Sequence, residues 1–185
     1  MDEPIAILGF AGSLRRNSYN KALLRAAAKL VPDNAQLSTF DIKGIPPFNQ
    51  DRENKPPEKV KEFKNRIRTA DALLIVTPEY NYSIPGVLKN AIDWASRPAS
   101  DNVLIRKPVA IMGASTGRLG TARAQYHLRQ CLVGLNMYPV NKPEVFVAYA
   151  DEKIAENGRL KDDETKKYIV KLLKNLVIWT KKLKK

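Results

Sequence analysis

The stretch LLIVTPEYNYSIPGVLKNAIDWASR, residues 73–97, decides how the rest of the chain is interpreted. It begins with a short, uninterrupted apolar run, which is typical of a strand covered by helices on both faces. It ends with apolar residues near helical spacing. Between them, residues 78–86 form a turn with more rings, donors and acceptors than an ordinary connection needs. Open α/β sheets hold ligands at the carboxyl ends of their strands, so we interpret residues 78–86 as a binding loop.

A second strand, loop and helix pattern stands at the start of the chain. An apolar run at residues 5–10 leads into small and hydroxyl residues at 11–20, and a helix with one apolar face follows. Backbone N–H groups and the positive end of the helix dipole favour a phosphate at such a turn. Helix capping by Ser18 alone is the simpler alternative. The side chains that can add hydrogen bonds to a phosphate are Ser13, Arg15, Arg16, Ser18 and Asn20.

This first loop predicts a terminal monophosphate. It lacks the Gly-x-x-x-x-Gly-Lys-Ser/Thr pattern, and with it the lysine that reaches a triphosphate. It also lacks Gly-x-Gly-x-x-Gly, which disfavours a dinucleotide pyrophosphate held in that manner. A third loop, residues 114–121, follows the apolar strand at 108–113 and again contains small polar residues. Its backbone N–H groups and short side chains suit the edge of a flat heterocycle.

The chain is strongly basic, with a net charge of +13 over 185 residues. Much of the excess lies on the predicted solvent side of a C-terminal amphipathic helix that begins near Asp162. A solvated helix face explains most of it, and attraction of anionic cofactors and substrates is the alternative. No aromatic residues alternate with a basic strand, and no apolar run approaches the roughly 20 residues of a membrane span. We therefore expect neither a nucleic acid nor a membrane as partner. The late lysines are Lys166, Lys167, Lys171, Lys174, Lys181, Lys182, Lys184 and Lys185.

One cysteine and one histidine limit the chemistry that side chains can perform. Cys131 cannot form an internal disulfide, which favours a reducing, cytoplasmic setting. With so few soft ligands, a metal site of the usual zinc type is not expected. We interpret Cys131 as a small core residue, and His127, inside a predicted helix, as a surface or interface histidine.

Five predicted strands alternate with helices, which favours a single α/β domain over residues 1–185 with a parallel sheet and right-handed crossovers. The polar loops follow the first, third and fourth strands. These strands are neighbours at the switch point of the flavodoxin-like order 2-1-3-4-5, so we predict a three-layer sandwich of that fold. The last strand is split between residues 137–140 and 145–148. Pro139 and Pro143 indicate that its first part is irregular or at an edge.

Together, the loops predict one ligand. One loop suits a phosphate and two suit a flat ring, which indicates flavin mononucleotide (FMN). The long segment at residues 41–57 exceeds a bare connection, so we expect it to pack near the site.

The same residues resemble those of the NADPH-dependent FMN reductase family. The resemblance runs from about residue 5 to residue 148 and is nearest to bacterial chromate and quinone reductases and related azoreductases. The Pro-Glu-Tyr-Asn segment is its most specific motif. The motifs lie at residues 12–15, Ser18 and Asn20, at residues 78–81, Ser83, residues 85–86, 88–91 and 93–94, and at residues 113–115 and Gly117.

The resemblance implies a role for each loop. The residues that would hold the FMN phosphate are Ser13, Arg15, Ser18, Tyr19 and Asn20. The residues that would line the isoalloxazine are Pro78, Glu79, Tyr80, Asn81 and Tyr82. Its pyrimidine or dimethylbenzene side would meet Ser115, Thr116 and Gly117.

The resemblance also implies a ping-pong reaction. Hydride would pass from the nicotinamide C4 of NADPH or NADH to flavin N5, and then to a quinone or a similar acceptor such as an azo dye, chromate or a free flavin. The cofactor carries the chemistry, so no catalytic side chain is expected. Glu79 is expected to orient its loop rather than to donate a proton.

Two other classes of function use the same fold. One is a flavodoxin-type electron-transfer protein that acts on a protein partner, and the other is a regulatory or nucleic-acid-binding protein. Flavodoxins tend to be strongly acidic, whereas this chain is strongly basic, so the enzyme is favoured.

Members of the resembled family are dimers or tetramers, so a homodimer or homotetramer is expected. Arg123 and Tyr126 lie on an unusually polar helix face, and we predict an Arg123–Glu144 pair across a two-fold axis. The helix end at residues 94–98, with Trp94, would complete the boundary. Intrachain pairs between exposed side chains are the alternative.

Overall fold

A parallel sheet forms the middle layer of the structure, a computed structural model that describes residues 3–184. Strands β1 (Ile5–Ala11), β2 (Ala35–Phe40), β3 (Ala72–Val76) and β4 (Pro108–Ala114) stand in the order β2-β1-β3-β4. The position beyond β4 holds two short strands, β5 (Tyr138–Pro139) and β6 (Val145–Val147), both parallel to β4. The predicted flavodoxin-like order 2-1-3-4-5 is confirmed.

The last strand is split as its prolines indicated. β5 ends at Pro139, which has no N–H to donate to a sheet. The chain then leaves β4 and returns at Val145, which pairs with Met112. The second piece therefore lies beside the carboxyl end of β4, where the third polar loop begins.

Helices cover both faces of the sheet. One face carries α1 (Tyr19–Lys29) and α6 (Asp163–Leu183), and the other carries α2 (Glu58–Thr69), α3 (Gly86–Ala95) and α4 (Ala122–Gly134). A short helix, α5 (Ala150–Lys153), follows β6. Two 3₁₀ turns lie at Gln50–Arg52 and Ala99–Asp101.

Strand β3 explains why its sequence is a continuous apolar run. Leu74 and Val76 pack into the apolar cluster under α1 and α6, whereas Leu73 and Ile75 pack into the cluster under α2, α3 and α4. Successive side chains of a strand point to opposite faces, so a strand covered on both sides needs apolar residues at every position.

The long segment at residues 41–57 packs against α3. The carbonyl of Pro46 accepts hydrogen bonds from the Asn90 side chain at 2.9 Å and from the Trp94 indole at 2.8 Å. The ring of Phe48 meets that of Trp94 edge-on, with centroids 5.0 Å apart. Trp94 is 1% exposed. The prediction that Trp94 lies at a subunit boundary is therefore wrong, because the segment at 41–57 already covers it.

Helix α6 has the two faces that its sequence predicts. Asp162 caps it by accepting the N–H of Thr165 at 2.8 Å. Its apolar stripe, from Ile169 to Val177, is buried, and Lys167, Lys171 and Lys174 are exposed. Lys185 lies outside the described residues. Within residues 3–184, no helix is both long enough and apolar enough to cross a membrane.

Candidate functional site

The three polar loops leave the same edge of the sheet. The N–H of Gly12 donates to the carbonyl of Val76 at 2.8 Å, and the N–H of Thr77 donates to the carbonyl of Met112 at 3.0 Å. These bonds continue the ladders of β1, β3 and β4 beyond the strands. The loops at residues 12–18, 78–85 and 115–120 therefore start side by side.

Asn20 fastens the first loop to the third. Its amide oxygen accepts the N–H of Ala114 at 2.9 Å, and its amide nitrogen donates to the carbonyl of Ala114 at 2.8 Å. Asn20 is 3% exposed. Both polar atoms of this side chain thus hold the start of α1 against the end of β4, a contact between residues far apart in sequence that the motif alone did not reveal.

Gly113 lets the second and third loops approach each other. A Cβ at this position would overlap the carbonyl oxygen of Thr77 and the Oγ1 of Thr121. Thr77 starts the second loop and Thr121 precedes α4, and both are fully buried. Any larger residue at 113 would push the two loops apart.

The first loop keeps open donors. Ser18 caps α1, accepting the N–H groups of Asn20 at 3.2 Å and Lys21 at 3.3 Å. Within residues 3–184, the backbone N–H groups of Leu14, Arg16 and Asn17 donate to no protein acceptor. Unpaired N–H groups beside a helix N-terminus are the donors that an anion needs.

Side chains around the first loop are arranged for the same purpose. Ser13 is buried, and its hydroxyl accepts the N–H of Arg15 at 3.4 Å. The guanidinium of Arg15 lies over the ring of Tyr19, 5.1 Å from its centroid, and is exposed. The ring of Tyr19 therefore holds the Arg15 guanidinium beside the loop, where its N–H groups are accessible to a ligand.

The second loop is a tight turn. Tyr80 and Ser83 exchange two backbone hydrogen bonds of 2.9 Å, with Asn81 and Tyr82 between them. Both central residues have positive φ, 48° and 67°, as a two-residue hairpin turn of this type requires. Asparagine tolerates that conformation, but tyrosine adopts it only under strain. Contacts from outside the turn must therefore hold Tyr82.

Those contacts come from the start of α4. Arg123 stacks on the ring of Tyr82, 3.7 Å from its centroid, and forms an ion pair with Glu79. The other carboxylate oxygen of Glu79 accepts the N–H of Ala124 at 3.1 Å. Thr121 makes no capping bond of its own, so Glu79 satisfies the N-terminus of α4 in its place. Glu79 orients its loop, in agreement with its predicted role.

The third loop is short and open. The Oγ of Ser115 accepts the N–H of Gly117 at 3.1 Å, and the backbone of Ser115 bonds to Val147 and Ala150. Thr116 and Gly117 are exposed. The structure thus places every residue predicted for the flavin site on one edge of the sheet, and their contacts with a cofactor stay a prediction.

The single histidine touches the second loop. His127 Nδ1 lies 3.1 Å from Ser83 Oγ, and the side chain is exposed, as predicted for a surface residue. Cys131 is half-buried rather than a full core residue, because it sits on the partly exposed side of α4.

The predicted Arg123–Glu144 pair across a two-fold axis stays a prediction, and within the chain both residues have other partners. Arg123 pairs with Glu79 of its own chain. Glu144 accepts hydrogen bonds from Tyr126 at 3.0 Å and Lys142 at 2.7 Å. The Lys142 ammonium holds the pKa of Glu144 below its ordinary value, and the bond to Glu144 raises the pKa of Tyr126. Sequence spacing could not reveal these partners. Glu79, the partner of Arg123, lies in another loop, and the turn at residues 141–144 brings Lys142 to Glu144.

The chain is similar to known proteins over most of its length. The family model described as NADPH-dependent FMN reductase matches residues 5–152. The chain is 51% identical over 185 residues to an NAD(P)H-dependent FMN reductase of Pseudomonas aeruginosa, with 100% of both chains covered. It is 45% identical over 170 residues to a 2-hydroxy-1,4-benzoquinone reductase of a Burkholderia species, covering 92% of this chain and 93% of the relative. A flavoenzyme NAD(P)H:(acceptor) oxidoreductase from Paracoccus denitrificans has a TM-score of 0.88 at 35% identity, covering 96% of this chain and 98% of that one.

Proposed function

The chain belongs to the NADPH-dependent FMN reductase family, and from that premise we propose that it binds FMN on its three loops and reduces quinones with NAD(P)H. The protein is an FMN-dependent NAD(P)H oxidoreductase. Its relatives include an NAD(P)H-dependent FMN reductase and a benzoquinone reductase, which supports a quinone as the acceptor. The observation that carries the site assignment is the set of backbone N–H groups without a protein acceptor on the first loop, within the described residues.

The donor set of the first loop fits a monophosphate. Within the described residues, the backbone N–H groups of residues 14, 16 and 17 have no protein acceptor, and they lie at the N-terminus of an eleven-residue helix. The hydroxyl hydrogen of Ser18 remains available, because its oxygen acts as an acceptor in the cap. Arg15 adds a guanidinium that can pair with two phosphate oxygens. The amide oxygen and one amide hydrogen of Asn20 bond to Ala114, and we assign this residue the positioning of the loop.

The second and third loops form the platform for the ring. Glu79 and Arg123 fix the turn at residues 80–83, so Tyr80 and Tyr82 are held at the site although both are exposed. Ser115 fixes its own loop by accepting the N–H of Gly117, and Thr116 and Gly117 are exposed and can meet the ring edge. When bound, FMN takes up hydride from NAD(P)H and passes it to the acceptor. The protein then has to position the flavin ring and leave one face of the ring accessible to NAD(P)H and the acceptor.

The openness of the site supports a broad set of acceptors. Exposed groups from two loops border it, and the buried carboxylate of Glu79 is already held by Arg123 and the N–H of Ala124. We propose that azo dyes, chromate and free flavins are accepted besides quinones, with either NADPH or NADH as donor.

The assembly and location follow from the same premise. We propose that the single domain at residues 1–185 works in the cytoplasm as a homodimer or homotetramer. Exposed rings beside the site, Tyr80, Tyr82 and Tyr126, support a subunit contact there. Light scattering at micromolar concentration would detect the multimer, and a monomer would contradict it.

A turnover assay without any partner protein tests the function. The purified protein should be yellow, release FMN on denaturation and oxidise NADPH only when a quinone is added. The positioning variant Asn20→Ala should lose flavin content, whereas Lys174→Ala, on the exposed face of α6, should retain both flavin and turnover. A flavin-loaded protein that fails to reduce every quinone until a protein partner is supplied would instead be an electron carrier.

A further inference from the structure

A large cavity adjoins only one of the three loops. It is open, with a volume of about 910 Å³, and lies between the start of α1 and the segment at residues 151–161. The first loop contributes Arg15, Ser18 and Tyr19 to its wall, but the loops at 78–85 and 115–120 contribute nothing. A flavin ring on those two loops would therefore leave this cavity empty.

The cavity runs from the first loop along one stripe of α1. Ser18, Ala22 and Arg25 line it, and they are spaced four and three residues apart, which puts them on one face of the helix. This face gives a second group attached to a phosphate on the first loop a path toward Arg25. A bare phosphate has no atoms to reach that far.

Positively charged side chains line the cavity. Arg16, Arg25 and Lys161 form no ion pair within residues 3–184. All three are exposed. Together with Arg15 they outnumber the two lining carboxylates, Asp151 and Glu156. Such a wall attracts a second phosphate, and the carboxylates can accept from hydroxyl groups nearby.

The far wall comes close to Arg25 at Gly158. Gly158 has a φ of +78°, and a Cβ there would lie 2.5 Å from a guanidinium nitrogen of Arg25. The turn is closed by bonds from Gly158 to Ala155 at 2.8 Å and from Ala155 to Arg159 at 2.9 Å. Glycine thus allows both the turn and the close approach of the arginine.

We propose that this cavity receives the adenosine phosphate half of flavin adenine dinucleotide (FAD), so that the protein binds FAD as well as FMN. The proposal rests on the proposed function, because it takes the flavin phosphate to lie on the first loop. The second phosphate of FAD meets Arg16 and Arg25, and the adenosine fills the space toward Lys161. Pockets of several hundred Å³ are the usual size for such groups.

Flavin exchange on the holoprotein tests the proposal. The FMN-loaded protein is equilibrated with equal concentrations of FMN and FAD, and the bound flavins are separated and quantified after removal of the free pool. Wild type should hold the two in comparable amounts. The double variant Arg25→Ala/Lys161→Ala should hold at least about tenfold less FAD relative to FMN, the range for lost bonds to charged groups.

A matched variant separates a local effect from bulk charge. Lys171→Ala/Lys174→Ala removes two positive charges from the exposed face of α6, outside the cavity, and should exchange like wild type. An equal loss of FAD in this control would overturn the proposal, as would a wild type that excludes FAD. If the double variant Arg25→Ala/Lys161→Ala kept the wild-type ratio of FAD to FMN but had a raised KM for NADPH, the cavity would bind NADPH instead. That result would also overturn the proposal. Failure of wild type to hold FMN would refute the proposed function instead.

Discussion

The first and second loops are held in opposite ways. In the second loop, Tyr80 and Ser83 satisfy each other's backbone groups, and α4 supplies an arginine and an N-terminus that fix Glu79. In the first loop, several backbone N–H groups have no protein acceptor within residues 3–184, and Arg15 is exposed. A loop whose backbone groups are hydrogen-bonded within the protein can act as a rigid platform. Backbone N–H groups without a protein acceptor can instead donate to a ligand. Changes in the first loop should therefore affect a phosphate, and changes in the second should affect the ring.

Gly113→Ala should disturb both loops at once and produce the largest effect. The added methyl would overlap the carbonyl of Thr77 and the hydroxyl of Thr121, which cannot move without breaking their contacts. Overpacking of this kind costs about 3 kcal/mol in the free energy of unfolding. Denaturant unfolding measures it. Gly134→Ala, with nothing within 4 Å of its Cβ, is the control and should change stability by less than about 1 kcal/mol. Equal stability of the two variants would contradict the account of Gly113.

Arg15→Ala should weaken the phosphate and spare the ring. We expect FMN affinity to fall by about 2 kcal/mol, as for a hydrogen bond to a charged group, because the guanidinium supplies a charge-assisted bond. Riboflavin, which has no phosphate, should bind this variant and wild type alike. Fluorescence titration of both flavins measures the difference. A parallel loss for riboflavin would show that Arg15 acts on the fold of the loop.

Glu79→Gln should produce the opposite selectivity. The amide oxygen can still accept the N–H of Ala124, but the charge that pairs with Arg123 is lost. Arg123 is partly exposed, so water can replace part of the pair, and we expect a loss of only about 1 kcal/mol. FMN and riboflavin should lose affinity equally. A loss of affinity for FMN but not for riboflavin would place Glu79 in the phosphate site. It would contradict the separate roles of the first and second loops.

Changes at His127 and Cys131 should be the smallest. The amide of His127→Gln can still reach the hydroxyl of Ser83, and Cys131 is half-buried on α4. Turnover of NADPH with a quinone should stay within a few fold in His127→Gln and Cys131→Ser. A loss of about a thousandfold in a folded, FMN-loaded variant would require a side chain in the chemistry.

The sequence predicts elements better than partners. The apolar run at residues 73–76 and the polar loops after three strands were sufficient for the fold and the edge that bears the site. Asn20 was predicted for the phosphate, yet its amide bonds to Ala114, which depends on how the first and fourth strands meet. Trp94 was misplaced because the fold of residues 41–57 over α3 is set by tertiary contacts.

The partner of Arg123 was also beyond sequence reasoning. Glu79 and Arg123 are brought together by the crossover from β3 through β4 to α4, and no local pattern encodes that distance. One signal was available: α4 follows Thr121 and has no acidic residue in its first turn, so its N-terminus needed an anion from elsewhere.

The affinity of the wild-type protein for FMN relative to riboflavin tests the central claim most directly. The two ligands share the ring and the ribityl chain and differ only in the phosphate, so calorimetric titration of the flavin-depleted protein isolates the first loop. The open N–H groups and Arg15 predict that FMN binds at least about a hundredfold more tightly, which corresponds to about 3 kcal/mol. Equal affinities would show that the first loop does not hold a phosphate and would contradict the account.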